Sequence, residues 1–194
     1  FNKVTIGPNK LVLVNTSFDS FQSSDLAGIV GGQLPAGSVA YVWDRVSKTY
    51  KNASYTAFGT WGGPGAAVTI LRGDALWLKN VSSVTNTVSL MGEVPYTNND
   101  GKTNTVVGIV GLDAVGYAFP VDVVWTATDL AAKMVGGDIL YIWDVNGQDW
   151  VSYPKTAFGS WTGLPAGFTI TAGQSFFVKT GSSIDWTEVA PYTL

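Results

Sequence analysis

The chain has 194 residues, of which 46% are hydrophobic and only 13% are charged, and its formal net charge is −3. Because soluble domains carry roughly 25% charged residues on average, this composition predicts a folded protein with a neutral polar surface and excludes a disordered chain. The sequence contains neither Cys nor His, which excludes disulfides, thiolate chemistry and the commonest metal ligand. Its 11 basic residues are scattered singly, and this spacing disfavours nucleic acid as a partner.

The first residue and the hydropathy of the chain favour a secreted protein. The chain begins with Phe1 rather than Met, which a cleaved secretory signal would explain. No apolar run approaches the roughly 18 residues of a membrane-spanning helix. We therefore expect an extracellular or cell-surface location after removal of a signal peptide, and no transmembrane segment.

Most of the predicted elements are strands rich in β-branched and aromatic residues. In chain order the first half predicts two strands, a helical turn, a hairpin, a glycine-rich turn and two further strands, at residues 2–8, 11–15, 24–30, 39–50, 61, 69–70 and 77–79. The helical turn opens with Ser24, and a second one over residues 128–134 opens with Thr128, because a hydroxyl can cap free backbone N–H groups. In the second hairpin, Asn146-Gly147 predicts a tight turn, since both residues tolerate positive φ.

The strongest signal in the sequence is an internal duplication. Residues 41–79 and 141–179 align without a gap at an offset of 100, and 14 of these 39 positions are identical. The polar stretch 98–104 lies between the two copies and is typical of a linker. We therefore predict an all-β protein of two tandem homologous β-sandwich or barrel-like domains, 1–97 and 105–194, each with one short helical turn.

The order of motifs resembles a group of secreted tandem-repeat proteins from environmental bacteria. The motifs are Tyr-x-Trp-Asp at 41–44 and 141–144, Gly-x-Trp at 59–61 and 159–161, Gly-Asp-Ala-Leu-Trp-Leu-Lys at 73–79 with Gly-Gln-Ser-Phe-Phe-Val-Lys at 173–179, and Gly-Glu-Val-Pro at 92–95. The resemblance covers nearly the whole chain and implies the same duplicated fold. It implies no activity and no catalytic residues.

The abundant aromatic residues offer two interpretations. Carbohydrate-binding modules stack sugars on exposed rings, and turns and hairpins expose rings better than central strands do. Four residues are therefore candidates for a glycan platform: Tyr50, Trp61, Trp150 and Trp161. The alternative is that duplicated aromatics are duplicated core, and we expect this of Trp43, Trp143, Phe58 and Phe158. For Trp61 and Trp161 we favour a position in the core or in a domain interface.

The acidic residues give no indication of catalysis. Asp44 and Asp144 recur between the copies, but each ends a strand that enters a hairpin, where Asp usually accepts hydrogen bonds from the turn backbone. No Asp-rich calcium loop is present, and no Ser or Lys has a His to activate it. We therefore expect no enzyme activity, no metal site and no cofactor.

Our first functional hypothesis is a structural subunit of an extracellular fibre or surface assembly that binds copies of itself. A tandem duplication has two similar ends, so the contact that joins the repeats could also join one molecule head to tail with the next. The β-prone termini could add as strands to a neighbour's sheet edge. The candidate assembly residues are Val4, Thr5, Ile6, Val189, Tyr192 and Leu194.

The alternative hypothesis is an adhesion module that binds polysaccharide through exposed Trp and Tyr rings. It requires that Tyr50, Trp61, Trp150 and Trp161 face the solvent. Burial of those rings would leave no platform.

Overall fold

The computed structural model describes residues 1–95 and 103–192, and it shows a chain built mostly of β-strands with two short α-helices. This confirms the predicted all-β class with short helical turns. In repeat 1 (residues 1–95) the strands are β1 (Asn2–Ile6), β2 (Leu11–Asn15), β3 (Val39–Asp44), β4 (Thr49–Tyr55), β5 (Trp61–Gly62), β6 (Ala75–Lys79) and β7 (Asn86–Leu90). In repeat 2 (residues 103–192) they are β8 (Thr103–Gly116), β9 (Val123–Val124), β10 (Ile139–Asp144), β11 (Asp149–Pro154), β12 (Thr169–Ile170) and β13 (Ser175–Val189).

Each repeat contains one main sheet and one short helix. Repeat 1 has a five-stranded sheet in the order β2-β6-β3-β4-β5, and repeat 2 has a four-stranded sheet in the order β11-β10-β13-β8. Two small sheets, β1-β7 and β12-β9, complete the strand pairing. Helix α1 spans Leu26–Ile29 and α2 spans Asp129–Lys133. The sheet positions of β2, β6, β3 and β4 correspond to those of β8, β13, β10 and β11.

The repeats differ at one corner, where repeat 1 breaks two strands that repeat 2 keeps continuous. In repeat 1, Asn80 is fully buried and its Nδ2 donates to the carbonyl oxygens of Ile6, Gly7 and Val84, at 3.1, 3.1 and 2.8 Å. This side chain satisfies backbone acceptors where the strands stop. Repeat 2 has Thr180 at the equivalent position, and β13 runs on against β8 through register shifts on either side of Ile184. A single pair of long bent strands therefore replaces four short ones.

Both faces of each main sheet are apolar. On β3, Ala40 and Val42 point into the core of repeat 1, whereas Tyr41 and Trp43 point to the opposite face. That opposite face packs against the same face of repeat 2. The resulting inter-repeat core consists of Leu13, Trp43, Ala75, Trp77, Ala114 and Phe177. The two repeats are therefore joined sheet to sheet, with each sheet sandwiched between two cores.

The contacts between the repeats come in equivalent pairs. The backbone N–H of Asn15 donates to the Gly173 carbonyl at 2.9 Å, and the N–H of Gly116 donates to the Gly73 carbonyl at 2.8 Å. Gly116 occupies the sheet position of Asn15, and Gly73 aligns with Gly173. Gly73 and Gly173 have positive φ angles, +82° and +81°, which glycine adopts without steric cost. This reciprocity is the hallmark of an isologous, two-fold-like contact that closes on itself.

Each hairpin also reaches the edge strand of the other repeat. From repeat 1, Arg45 and Lys48 bind the fully buried carboxylate of Asp113 on β8, at 3.1 and 2.7 Å. The same carboxylate accepts from Trp43 Nε1 at 2.8 Å. From repeat 2, the side chain of Gln148 bonds the backbone N–H and carbonyl of Leu11 on β2, at 2.8 and 3.0 Å. Charged and polar contacts therefore fix the register of the apolar interface.

The local sequence interpretations were correct at the acidic turn residues and at Thr128, and wrong at two details. Asp44 Oδ1 accepts from Val46 and Ser47, and Asp144 Oδ1 accepts from Asn146, as predicted. The positive φ in the second hairpin belongs to Gln148, not to Asn146-Gly147, because four turn residues connect the strands. The predicted cap Ser24 is wrong, since the Asp25 carboxylate accepts from Gly28 at the start of α1. Thr128 caps α2 as predicted.

The predicted linker and closing strand also differ from the structure. Residues 98–102 lie outside the described residues, but Thr103 and Asn104, which we assigned to the linker, begin β8. Strand β13 ends at Val189, and residues 190–192 of the predicted closing strand are not in a strand.

The buried carboxylate of Asp113 generates a stability prediction. Asp113→Ala should lower the free energy of unfolding by about 3 kcal/mol, because it leaves two partly buried cations and an indole N–H without their acceptor. Urea unfolding monitored by tryptophan fluorescence measures this change. Lys133→Ala, which removes the ion pair of the exposed Lys133 with Asp129 on α2 and its hydrogen bond to the Asp185 carbonyl, serves as the control and should cost no more than about 1 kcal/mol. Equal losses in the two variants would contradict the role assigned to Asp113.

Candidate functional site

An aromatic cleft lies beside the inter-repeat core, between side chains of the two main sheets. Its volume is about 600 Å³, which is within the range of small-molecule sites. Eight residues line it: Trp43, Tyr50, Trp77, Leu112, Tyr141, Trp150, Phe177 and Lys179. Both repeats contribute side chains, so the cleft exists only because the repeats pack together.

The floor of the aromatic cleft is buried and its two walls are open. Trp43, Trp77 and Phe177 are buried. Tyr50 and Trp150 occupy equivalent positions in the two repeats, and each is 37% exposed. Both walls stand edge-on to the Phe177 ring, with centroid distances of 6.3 Å for Tyr50 and 5.3 Å for Trp150. A ligand on this floor would therefore meet a ring on either side.

Aromatic packing holds the two wall residues in place. The ring centroid of Tyr50 lies 4.8 Å from that of Trp43. The ring centroid of Trp150 lies 5.2 Å from that of Trp143 and 5.6 Å from that of Trp77, and all three pairs are edge-to-face. Such contacts are favourable beyond the area they bury. The walls are thus positioned before a ligand arrives, which lowers the ordering entropy that binding would cost.

The lining of the cleft includes few polar groups. Trp77 Nε1 donates to the Tyr50 hydroxyl at 2.7 Å, so the hydroxyl keeps its own proton available to donate. Burial raises the pKa of Tyr50 to about 12, against the lowering effect of that hydrogen bond. The hydroxyl is therefore protonated at neutral pH. Lys179, on β13, contributes the only charged side chain among the lining residues.

The other two residues proposed for the platform lie elsewhere. Trp61 is half-buried against the core of repeat 1, and its Nε1 donates to the Gly31 carbonyl at 2.9 Å. Trp161 is half-buried against the core of repeat 2, edge-on to Trp125 at 5.4 Å. Neither ring lines the aromatic cleft. The four candidates therefore do not form one strip, and only Tyr50 and Trp150 converge.

Two exposed phenylalanines correct the expectation that Phe58 and Phe158 are core residues. Phe58 is 93% exposed and Phe158 is 100% exposed. Each stands at the tip of a turn, 56–60 or 156–160, that we call the Phe turns. The sequence interpretation was wrong because duplication shows that a residue was copied, and not which way its side chain points.

The two Phe turns are held by the same hydrogen bonds. The N–H of Thr56 donates to the Thr60 carbonyl at 2.8 Å, and the N–H of Thr156 donates to the Ser160 carbonyl at 2.7 Å. Hydroxyl pairs between the same residues close each turn at 3.0 and 2.8 Å. The exposed rings therefore project from defined backbone structures. Exposed large apolar groups of this kind often mark interaction sites.

The N-terminal assembly candidates lie in a strand that is paired within the chain. Strand β1 is antiparallel to β7 over its full length. Ile6 is fully buried and Val4 packs against the repeat 1 core, so both side chains are occupied within the molecule. Thr5 points to the solvent. In the part of the chain that the structure describes, the other edge of β1 has no strand partner.

The C-terminal assembly candidates are divided between surface and packed positions. Val189 ends β13 opposite Thr103 and is exposed. The Tyr192 hydroxyl donates to the Pro95 carbonyl at 3.0 Å, which ties the end of repeat 2 to repeat 1. Leu194 lies outside the described residues.

Sequence reasoning missed most of the cleft. Trp77, Phe177, Tyr141, Leu112 and Lys179 were not among the candidates. A signal was present, because β3 and β6 carry large apolar residues on both faces, which is typical of a sheet buried on both sides. That pattern predicts a second packing surface for each sheet. It does not reveal that the surface is the other repeat.

Within residues 1–95 and 103–192, no group of three or more Asp or Glu side chains is placed to hold a metal ion. None of the helices in those residues has the length and apolar composition needed to cross a membrane.

Comparison of the chain with protein-family models, with curated proteins and with solved structures finds no match.

Proposed function

We propose that this chain is a carbohydrate-binding or adhesion module that acts outside the cell and holds its ligand in the aromatic cleft between the repeats. The observation that carries the proposal is the pair of equivalent rings, Tyr50 and Trp150, half-exposed on either side of the Phe177 floor. Sugar rings have apolar C–H faces that pack against aromatic rings, and hydroxyl edges that need hydrogen-bond partners. The cleft offers both kinds of contact.

The geometry also supports this proposal over a site on the surface turns. Two polar groups of the cleft, the Tyr50 hydroxyl and the Lys179 ammonium, would serve as hydrogen-bond partners for sugar hydroxyls while the aromatic rings cover the apolar sugar faces. A mostly apolar pocket with a few placed polar groups is the usual form of a ligand site. The sheet framework fixes these groups, whereas Trp61 and Trp161 are engaged by their own cores.

Truncation of the two walls tests the proposed site. Trp150→Ala and Tyr50→Ala should each weaken binding to a responsive oligosaccharide at least tenfold, because each removes one stacking surface. A glycan array identifies the responsive oligosaccharide, and isothermal titration calorimetry then measures the dissociation constants. Circular dichroism and urea unfolding establish that each variant is folded.

Trp61→Phe is the matched control, because it changes an aromatic residue that the sequence also nominated but that lies outside the cleft. It should leave the dissociation constant unchanged. Loss of binding in Trp61→Phe, with normal binding in Trp150→Ala, would contradict the cleft as the site.

A second candidate function, the self-assembling structural subunit, is favoured by the Phe turns rather than by the joint between the repeats. The reciprocal inter-repeat contacts close on themselves and cannot extend from molecule to molecule. Phe58 and Phe158 offer a different contact, in which the exposed ring of one copy enters the aromatic cleft of the next. Such a contact joins two unlike surfaces, so it is heterologous and can propagate into a filament.

Removal of both exposed rings tests the assembly proposal. Phe58→Ser combined with Phe158→Ser should abolish concentration-dependent association in sedimentation velocity and filaments in electron microscopy. The fold should be unaffected, because the two side chains are almost fully exposed and surface changes cost little stability. Glycan binding in the cleft should be retained. Filaments that persist in the double variant would contradict the ring-in-cleft contact and leave the terminal strands β1 and β13 as the route of assembly.

A further inference from the structure

We infer that the ligand of the aromatic cleft is an acidic saccharide, one that carries a carboxylate or sulfate group beside its apolar ring face. This inference rests on the proposed function and specifies the ligand class. It follows from the charges at one side of the cleft, which differ from those of the chain as a whole.

The charge at the cleft is positive although the chain has a formal net charge of −3. Lys179 is exposed and lines the cleft, and none of the lining residues is acidic. Among the described residues, Lys179 takes part in no ion pair. An exposed ammonium beside an apolar floor is suited to an anionic group on a ligand whose remaining surface is apolar.

A second set of basic residues lies next to the cleft. Trp43, which forms part of the floor, donates its Nε1–H to Asp113 at 2.8 Å, and the same carboxylate binds both Arg45 and Lys48. Arg45 and Lys48 do not line the cleft, and Asp74 also interacts with Arg45 and Asp113, so two acids accompany these two bases. The positive charge that favours an acidic ligand over a neutral one is therefore that of Lys179.

The duplication supplies an internal comparison for Lys179. Lys79 occupies the equivalent position in repeat 1, where β6 pairs with β2 and β3 as β13 pairs with β8 and β10. Only Lys179 lines the cleft. The two-fold-like relation is therefore broken at this point, and one of two equivalent lysines is available to the ligand.

The matched pair Lys179→Gln and Lys79→Gln tests the inference. With a defined uronic-acid oligosaccharide as the probe, Lys179→Gln should raise the dissociation constant about fivefold, since an exposed charge pair contributes modestly. Lys79→Gln should leave it unchanged. A neutral oligosaccharide of the same length should bind more weakly than the acidic one and should be indifferent to both substitutions. A sulfated probe in parallel distinguishes the two sources of negative charge.

Salt dependence provides an independent readout. Raising the NaCl concentration should weaken binding of the acidic probe to the unaltered chain and have little effect on a neutral probe, because ions screen charge contacts and not stacking. Equal affinity for acidic and neutral probes, both lost in Trp150→Ala, would overturn the acidic-ligand inference and leave the carbohydrate site intact. No binding of either probe class would overturn both proposals. An equal effect of Lys179→Gln and Lys79→Gln would also overturn the inference.

Discussion

The packing of the two main sheets against each other is the interaction on which the rest of this molecule depends. Each sheet has one face on the core of its own repeat and the other on the inter-repeat core, so neither face is left to the solvent as a continuous apolar surface. Reciprocal backbone hydrogen bonds at Gly73 and Gly173 fix the approach. The buried carboxylate of Asp113 and the amide of Gln148 fix the register from opposite sides. Duplication has thus produced one closed pair of repeats.

The closed joint determines what each part of the surface can do. It uses the equivalent faces of both repeats, so this contact is not available for extension into a chain of molecules. Beside the inter-repeat core lies an aromatic cleft whose walls, Tyr50 and Trp150, come from the same position of the two repeats. The Phe turns lie outside the joint and present Phe58 and Phe158 to the solvent. The proposed glycan site and the proposed assembly contact share the cleft, but only the assembly contact needs the Phe turns.

The sequence predicted the all-β class, the caps at Asp44, Asp144 and Thr128, and two of the cleft residues, because propensities, turn chemistry and an internal repeat act over short distances. It did not predict the cleft itself. Tyr50 comes together with Phe177 only through the packing of two sheets, and this information is spread over more than 100 residues. The sequence did not predict the exposure of Phe58 either, because the repeat preserves residue identity at core and surface positions alike. Breaking of the symmetry at Lys79 and Lys179 depends on the same tertiary packing.

Titration of the ¹⁵N-labelled protein with a uronic-acid oligosaccharide, followed through the indole N–H signals, tests the proposed location of binding most directly. The chain has eight tryptophans, and each gives one signal that a single substitution assigns. The account predicts shifts for Trp43, Trp77 and Trp150, which line the cleft, and a particularly large one for Trp77, whose N–H donates to Tyr50. Shifts confined to Trp61 and Trp161, with the cleft signals unmoved at saturation, would contradict it.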